Sequence, residues 1–91
     1  LICFELRFTN LWQKLQGADI ILVPAMWGKL REKHFEILTQ ALAISNQCFV
    51  IASDSANDNM ARSSAIISPF GERIANDKKT IISHIINLND I

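Results

Sequence analysis

Two uninterrupted apolar runs, Ile20-Ile21-Leu22-Val23 and Cys48-Phe49-Val50-Ile51-Ala52, flank a helically patterned stretch over residues 30–46. Strands that read as continuous apolar runs, without alternation, are those covered on both faces of a sheet. Between them, Leu38, Ala41, Leu42 and Ser45 follow one helical spacing, and Ile37, Ala41 and Ile44 follow another. Together they make a broad, mostly apolar stripe of the kind that packs a helix on a sheet. The chain therefore reads as α/β. Patterning predicts a strand end at 1–2, helix over 9–16, strand over 20–24, helix over 30–46 and strand over 48–53. A polar loop over 54–62, a hairpin over 64–75 and a last strand over 80–88 complete the reading. Gly17 suits the position just past a helix end, and Pro24 closes its strand. In the last segment Thr80, Ser83, His84 and Asn87 interrupt Ile81, Ile82, Ile85, Ile86 and Leu88, which suits a less buried strand.

A chain of 91 residues holds at most one small domain. At that size only about 60 to 65% of the unfolded surface is buried, so a core standing alone is marginal. The chain opens on Leu1, at the end of a strand, so the strands that pair with it are expected upstream. Nine basic and nine acidic residues give a formal net charge of zero. Neither sign clusters, which gives no electrostatic reason for nucleic acid or a membrane surface as partner. No apolar run approaches the roughly 18 residues of a membrane span. Cys3 and Cys48 are the only cysteines, and their separation matches no zinc or redox spacing. Cys48, within an apolar strand, reads as a small buried hydrophobe. The run Asp54-Ser55-Ala56-Asn57-Asp58-Asn59 lacks the glycine and terminal glutamate of a calcium loop and reads as a solvated turn.

The densest chemistry lies in Leu1-Ile2-Cys3-Phe4-Glu5-Leu6-Arg7-Phe8-Thr9-Asn10, where a cysteine stands at the junction of a strand end and a short helix. A thiol at such a junction lies near backbone N–H groups placed to receive a developing oxyanion. Cys3-Phe4-Glu5-Leu6-Arg7-Phe8 resembles, position by position, the nucleophile motif of the nitrilase, or carbon-nitrogen hydrolase, superfamily. Pro24-Ala25-Met26-Trp27 is similar to the family's loop after the next strand. Ala41-Leu42-Ala43-Ile44-Ser45-Asn46-Gln47 resembles its A-x-A-I-x-N-Q helix end, and Ser68-Pro69-Phe70-Gly71-Glu72 its D-P-x-G-x hairpin turn. Four matches in the right order are far more specific than any one alone.

The resemblance implies an α-β-β-α sandwich of the nitrilase type. Residues 1–91 would be the C-terminal part of a single such domain, in a cytoplasmic homo-oligomer without metal or nucleotide cofactor. It further implies a thiol-dependent hydrolase of non-peptide C–N bonds acting on a small amide or N-carbamoyl substrate. Cys3 would be the nucleophile and the Phe4 backbone N–H an oxyanion donor. The glutamate and lysine that serve the family as base and cation precede the cysteine, so residues 1–91 are expected to be inactive alone. Glu5 matches the family's acid after the nucleophile, where pairing with Arg7 or a backbone group is expected. Arg7 reads either as a binder of a substrate carboxylate or as a structural partner of Glu5 or a backbone carbonyl. Trp27, just past a strand end, reads either as a wall of the acyl pocket or as a core cover. Nothing in the sequence places His34 or His84 near Cys3. The charges Lys29, Arg31, Glu32, Lys33 and Glu36 make either a site or a solvated helix end. Two other readings stay open: a non-catalytic assembly or binding relative of the same fold, and an unrelated α/β protein with a structural cysteine.

Overall fold

In the computed structural model, residues 1–55, 59–61, 63–76 and 83–90 are described. A 3₁₀ turn at Cys3–Arg7 leads into α1 (Thr9–Trp12), which tightens into a second 3₁₀ turn at Gln13–Leu15. The expected helix over 9–16 is thus split, and Gly17 ends it with φ 93°. Strand β1 (Ile20–Pro24) follows, then a 3₁₀ turn at Lys29–Arg31, α2 (Glu32–Asn46), β2 (Phe49–Ser53), β3 (Ala65–Ile67) and β4 (Arg73–Asn76).

The strands form a four-stranded sheet in the order β1-β2-β3-β4. β1 and β2 are parallel with Ile21 opposite Val50 and Val23 opposite Ala52. β2 and β3 are antiparallel, with Val50 opposite Ile67 and Ala52 opposite Ala65. These six side chains share one face by the two-residue period of a strand, and all are buried. They join Phe35, Leu42 and Ala43 of α2 in one core cluster, with Leu38 and Ala41 packed against it. Burying this layer supplies the main drive for folding, at about 25 cal/mol per Å² of apolar surface removed from water. Thr39 is also buried in the helix, its hydroxyl donating to the Phe35 carbonyl at 2.8 Å. Of the two stripes expected on this helix, the one carrying Leu38 and Leu42 is the packed one, while Ile37 and Ile44 are exposed.

α2 ends in a motif that its sequence explains. Gln47 takes the left-handed conformation at φ 49° and ψ 53°. Its N–H donates to the Ile44 carbonyl at 3.3 Å, and the Cys48 N–H to that of Ala43 at 3.1 Å. These two bonds satisfy carbonyls that the end of a helix leaves open. Asn46 donates from Nδ2 to the Trp12 carbonyl at 2.9 Å, tying α1 to α2. The expected hairpin is present as β3 and β4. At its turn Gly71 has φ 86°, where a Cβ would meet Ile44 Cδ1 at 2.6 Å, so both conformation and space require glycine.

Two expectations are corrected. β1 is covered on one face only, with Ile20 38% and Leu22 60% exposed. It is the edge strand of this sheet, and α2 covers just the side carrying Ile21 and Val23. The last strand is not formed over its described part. Residues 83–87 are irregular and Leu88–Asp90 is a 3₁₀ turn, while positions 80–82 lie outside the described residues. Asn87 Oδ1 accepts the Asn89 N–H at 3.0 Å, a local bond that bends the backbone away from a ladder. At the other end, Ile2 is extended and the Leu1 amine donates to the Leu22 carbonyl at 3.1 Å. The start of the chain therefore lies along the open edge of β1.

Candidate active site

Cys3 is half-buried and has φ 48°. A non-glycine residue in the left-handed region costs roughly 1 to 2 kcal/mol, and such residues cluster at functional sites. The kink lets the extended Leu1-Ile2 segment pass directly into the 3₁₀ turn. There the Glu5 N–H donates to the Ile2 carbonyl at 3.0 Å, and the Ile2 N–H donates to Glu5 Oε1 at 2.8 Å. Glu5 thus serves a neighbouring backbone group. Leu6, fully buried, plugs the turn into the core. The Phe4 N–H belongs to the first turn, whose donors have no intrahelical acceptor.

A cavity of about 270 Å³ opens beside the thiol, lined by Cys3, Phe4, Arg7, Met26, Trp27, Gly28, Leu30 and Arg31. Among the described residues that line it the walls are apolar, the formal charges are two guanidiniums, and there is no carboxylate. Trp27 reaches it from the loop after β1. The Trp27 N–H donates to Asp54 Oδ1 at 2.6 Å, and its carbonyl accepts the Ala61 N–H at 2.8 Å. Its indole Nε1–H donates to the Arg31 carbonyl at 2.8 Å, and its ring lies 5.3 Å from that of Phe35. At 5% exposure Trp27 is a core residue, as one reading expected, and it also lines this cavity. A bridge between Gly28 and Met60 straps this loop to the one after β2.

Arg7 lies with its guanidinium carbon 5.1 Å from the Trp27 ring centre and 5.8 Å from that of Phe4, in cation–π range. Its Nη2 is 3.1 Å from His34 Nδ1. The expected structural partners of Arg7, Glu5 or a backbone carbonyl, are replaced by this histidine. His34, on the first turn of α2, therefore enters the site through Arg7, whereas His84 lines a separate groove with Phe49, Ser68 and Phe70. Cys48 is fully buried, and burial first, then the charge of Asp19, raises its pKa. Elsewhere on the core, burial lowers the pKa of Arg73 against the opposing pull of Glu36. Arg73 Nη2 donates to the Ser63 carbonyl at 2.8 Å, and Ser63 Oγ donates to Glu36 Oε2 at 2.9 Å. Glu36, with Glu32 3.4 Å from the same Ser63 hydroxyl, thus belongs to a part-buried polar network, while Lys29, Arg31 and Lys33 are exposed.

Sequence reasoning singled out Cys3, Phe4, Arg7 and Trp27, and the fold brings all four to one cavity. It missed Met26 and Leu30 as lining residues, Asp54 as the anchor of Trp27, and His34 as the acceptor for Arg7, while Arg31, one of the charges read as a site or a solvated helix end, lines the cavity. The apolar residues flanking Trp27 were a usable signal for the first of these. The contacts of Asp54 and His34 each span 27 positions, and no local pattern encodes them.

Residues 1–91 match the family model for carbon-nitrogen hydrolase. The chain is similar to the deaminated glutathione amidase of Escherichia coli O157:H7, at 40% identity over 77 residues, covering 80% of this chain and 29% of that protein. It is similar to the 2-oxoglutaramate amidase of Bacillus subtilis at 37% identity over 81 residues, covering 82% of this chain and 31% of that one. The chain thus spans about a third of the length of these relatives. Among solved structures, the NitFhit protein of Caenorhabditis elegans superposes with a TM-score of 0.72 at 28% identity, over 89% of this chain and 22% of that one. XC1258 from Xanthomonas campestris gives a TM-score of 0.80 over 98% of this chain and 40% of its own. At 22% identity that likeness speaks for the fold alone. The α/β architecture, the ordered motifs and the family match over residues 1–91 exclude an unrelated α/β protein: the chain belongs to the carbon-nitrogen hydrolase family of the nitrilase superfamily.

Proposed function

We propose that the protein carrying this chain is a thiol-dependent hydrolase of non-peptide C–N bonds, with residues 1–91 as the C-terminal part of its single catalytic domain. The observation that carries this reading is Cys3, held at positive φ at the mouth of a cavity walled by Trp27. The thiol gives its proton to a base, and the thiolate attacks the carbon of an amide or carbamoyl group. The Phe4 N–H is placed in the proposal to receive the oxyanion, where one such donor is worth about 2.7 to 4 kcal/mol. The C–N bond breaks, the nitrogen leaves protonated as ammonia or amine, and a thioester remains. Water attacks that thioester, releasing the carboxylate and returning the proton to Cys3. The base, and a cation beside the oxyanion, are assigned to the glutamate and lysine that precede the nucleophile in the family. Among the described residues lining the cavity there is neither a glutamate nor a lysine, so residues 1–91 alone are proposed to be inactive.

Two guanidiniums on an otherwise apolar cavity favour an acyl group bearing a carboxylate. Two relatives are named for amidase activity on 2-oxoglutaramate and on deaminated glutathione, and the first of these names denotes the amide of a dicarboxylic acid. A small anionic amide is therefore the proposed substrate, with Arg7 at its far end and Trp27 against its chain. A cytoplasmic homo-oligomer remains the proposed setting. Among the described residues no helix is long and apolar enough to cross a membrane. Replacing Cys3→Ala in the full-length protein tests the assignment: amide turnover should disappear while the thermal unfolding midpoint stays close to wild type. Retained turnover would remove Cys3 from the mechanism. A non-catalytic relative would show no turnover even with Cys3 present.

A further inference from the structure

The Arg7 side chain is unusually well fixed for a residue at a cavity wall. Stacking over Trp27 sets the height of the guanidinium but leaves it free to slide and rotate across the ring. The contact from Nη2 to His34 Nδ1 at 3.1 Å removes that freedom. Arginine has donors only, so Nδ1 accepts and the imidazole proton lies on Nε2. The bond uses a single N–H, and the remaining donors of the fork are left for a ligand. The nearest acid in the chain, Glu5, is turned to the Ile2 N–H, so Arg7 keeps its charge for the cavity. The pair is at the surface, where such contacts contribute little to stability. Its consequence lies in orientation.

We propose that His34 is a positioning residue, which holds the Arg7 guanidinium over Trp27 so that it meets a carboxylate on the acyl chain of the ligand. This rests on the reading of the Cys3 cavity as the amide site. The test measures how ligands protect Cys3 of the full-length protein from iodoacetamide, a readout independent of turnover. Glutarate is the anionic probe and butyramide the uncharged one. In wild type, glutarate should slow alkylation. In His34→Ala the concentration for half-protection should rise roughly tenfold, as for loss of a hydrogen bond to a charged group. His34→Asn puts an Oδ1 acceptor near the position of Nδ1 and should restore protection. Butyramide should protect all three proteins alike.

The proposal is overturned if glutarate does not protect wild type, if His34→Ala leaves its protection unchanged, if both probes shift together, or if His34→Asn behaves as the alanine variant does. The two levels of inference fail separately. Absence of amide turnover alongside the expected protection pattern would sink the amidase reading and leave the positioning role standing. Turnover with protection indifferent to His34 would do the reverse.

Discussion

Trp27 is the residue at which packing and chemistry meet. It lies on Phe35 and donates to the Arg31 carbonyl, yet its ring also forms the cavity wall beneath Arg7. Trp27→Ala should therefore do two things at once. Denaturant unfolding of the full-length protein should show a loss of about 3 to 5 kcal/mol, typical for truncating a buried tryptophan. The ratio of kcat/KM between a small and a bulky amide should move by an amount on the order of 1 to 3 kcal/mol. A stability loss with an unchanged ratio would return Trp27 to the core alone. The second thiol gives a different kind of expectation. Burial raises the pKa of Cys48, so the folded protein keeps that proton at a pH where the unfolded chain has lost it. Its stability contribution is full below the thiol's unfolded value, about 8.5, and is lost as the pH rises through the raised folded one. In a Cys3→Ala background, urea midpoints should fall above pH 8.5, and adding Cys48→Ala should flatten that decline.

At the scale of elements, the joint between α1 and α2 depends on a side chain at the helix end. Asn46 donates to the Trp12 carbonyl, and Trp12 is itself buried. The Trp12 carbonyl also opens the 3₁₀ turn at Gln13–Leu15, so Asn46→Ala removes one of its bonds without orphaning it and should cost about 0.5 to 1.5 kcal/mol in urea unfolding; no measurable loss would show that water replaces the amide. The helix, the hairpin and the positions of the first two strands along the chain were legible because each carries a local signature: 3.6-residue apolar spacing, the Ser68 to Glu72 turn with its glycine, and unbroken apolar runs. Other features were not. An apolar strand announces that it wants cover, but not which surface supplies it, and β1 is open on the side of Ile20 and Leu22. The final segment carries strand-forming isoleucines, yet the Asn87 side chain competes locally for the backbone. The candidate site was legible in its sequence-adjacent members, Cys3, Phe4 and Arg7. His34 and Asp54 arrive through tertiary contacts that only the assembled sheet creates.

At the largest scale, the described residues form a single sheet with α2 on one side. The chain's first residues lie along the edge of β1, and Ile20 and Leu22 face outward. A sandwich of the nitrilase type buries such a face against a second sheet. Residues 1–91 expressed alone should therefore self-associate, through the open edge and the uncovered apolar face. Light scattering or sedimentation checks this, and a monodisperse monomer that unfolds cooperatively would contradict it. The double duty of Trp27 also bears on how such a protein diversifies. A mutation there disturbs folding before it can be selected for a new preference, and Leu6 beneath the Cys3 turn is equally constrained. Met26 and Leu30, 70% and 91% exposed at the cavity rim, carry no such burden. New substrate ranges in this lineage should accordingly arise by drift at those two rim positions, while the tryptophan between them stays unchanged.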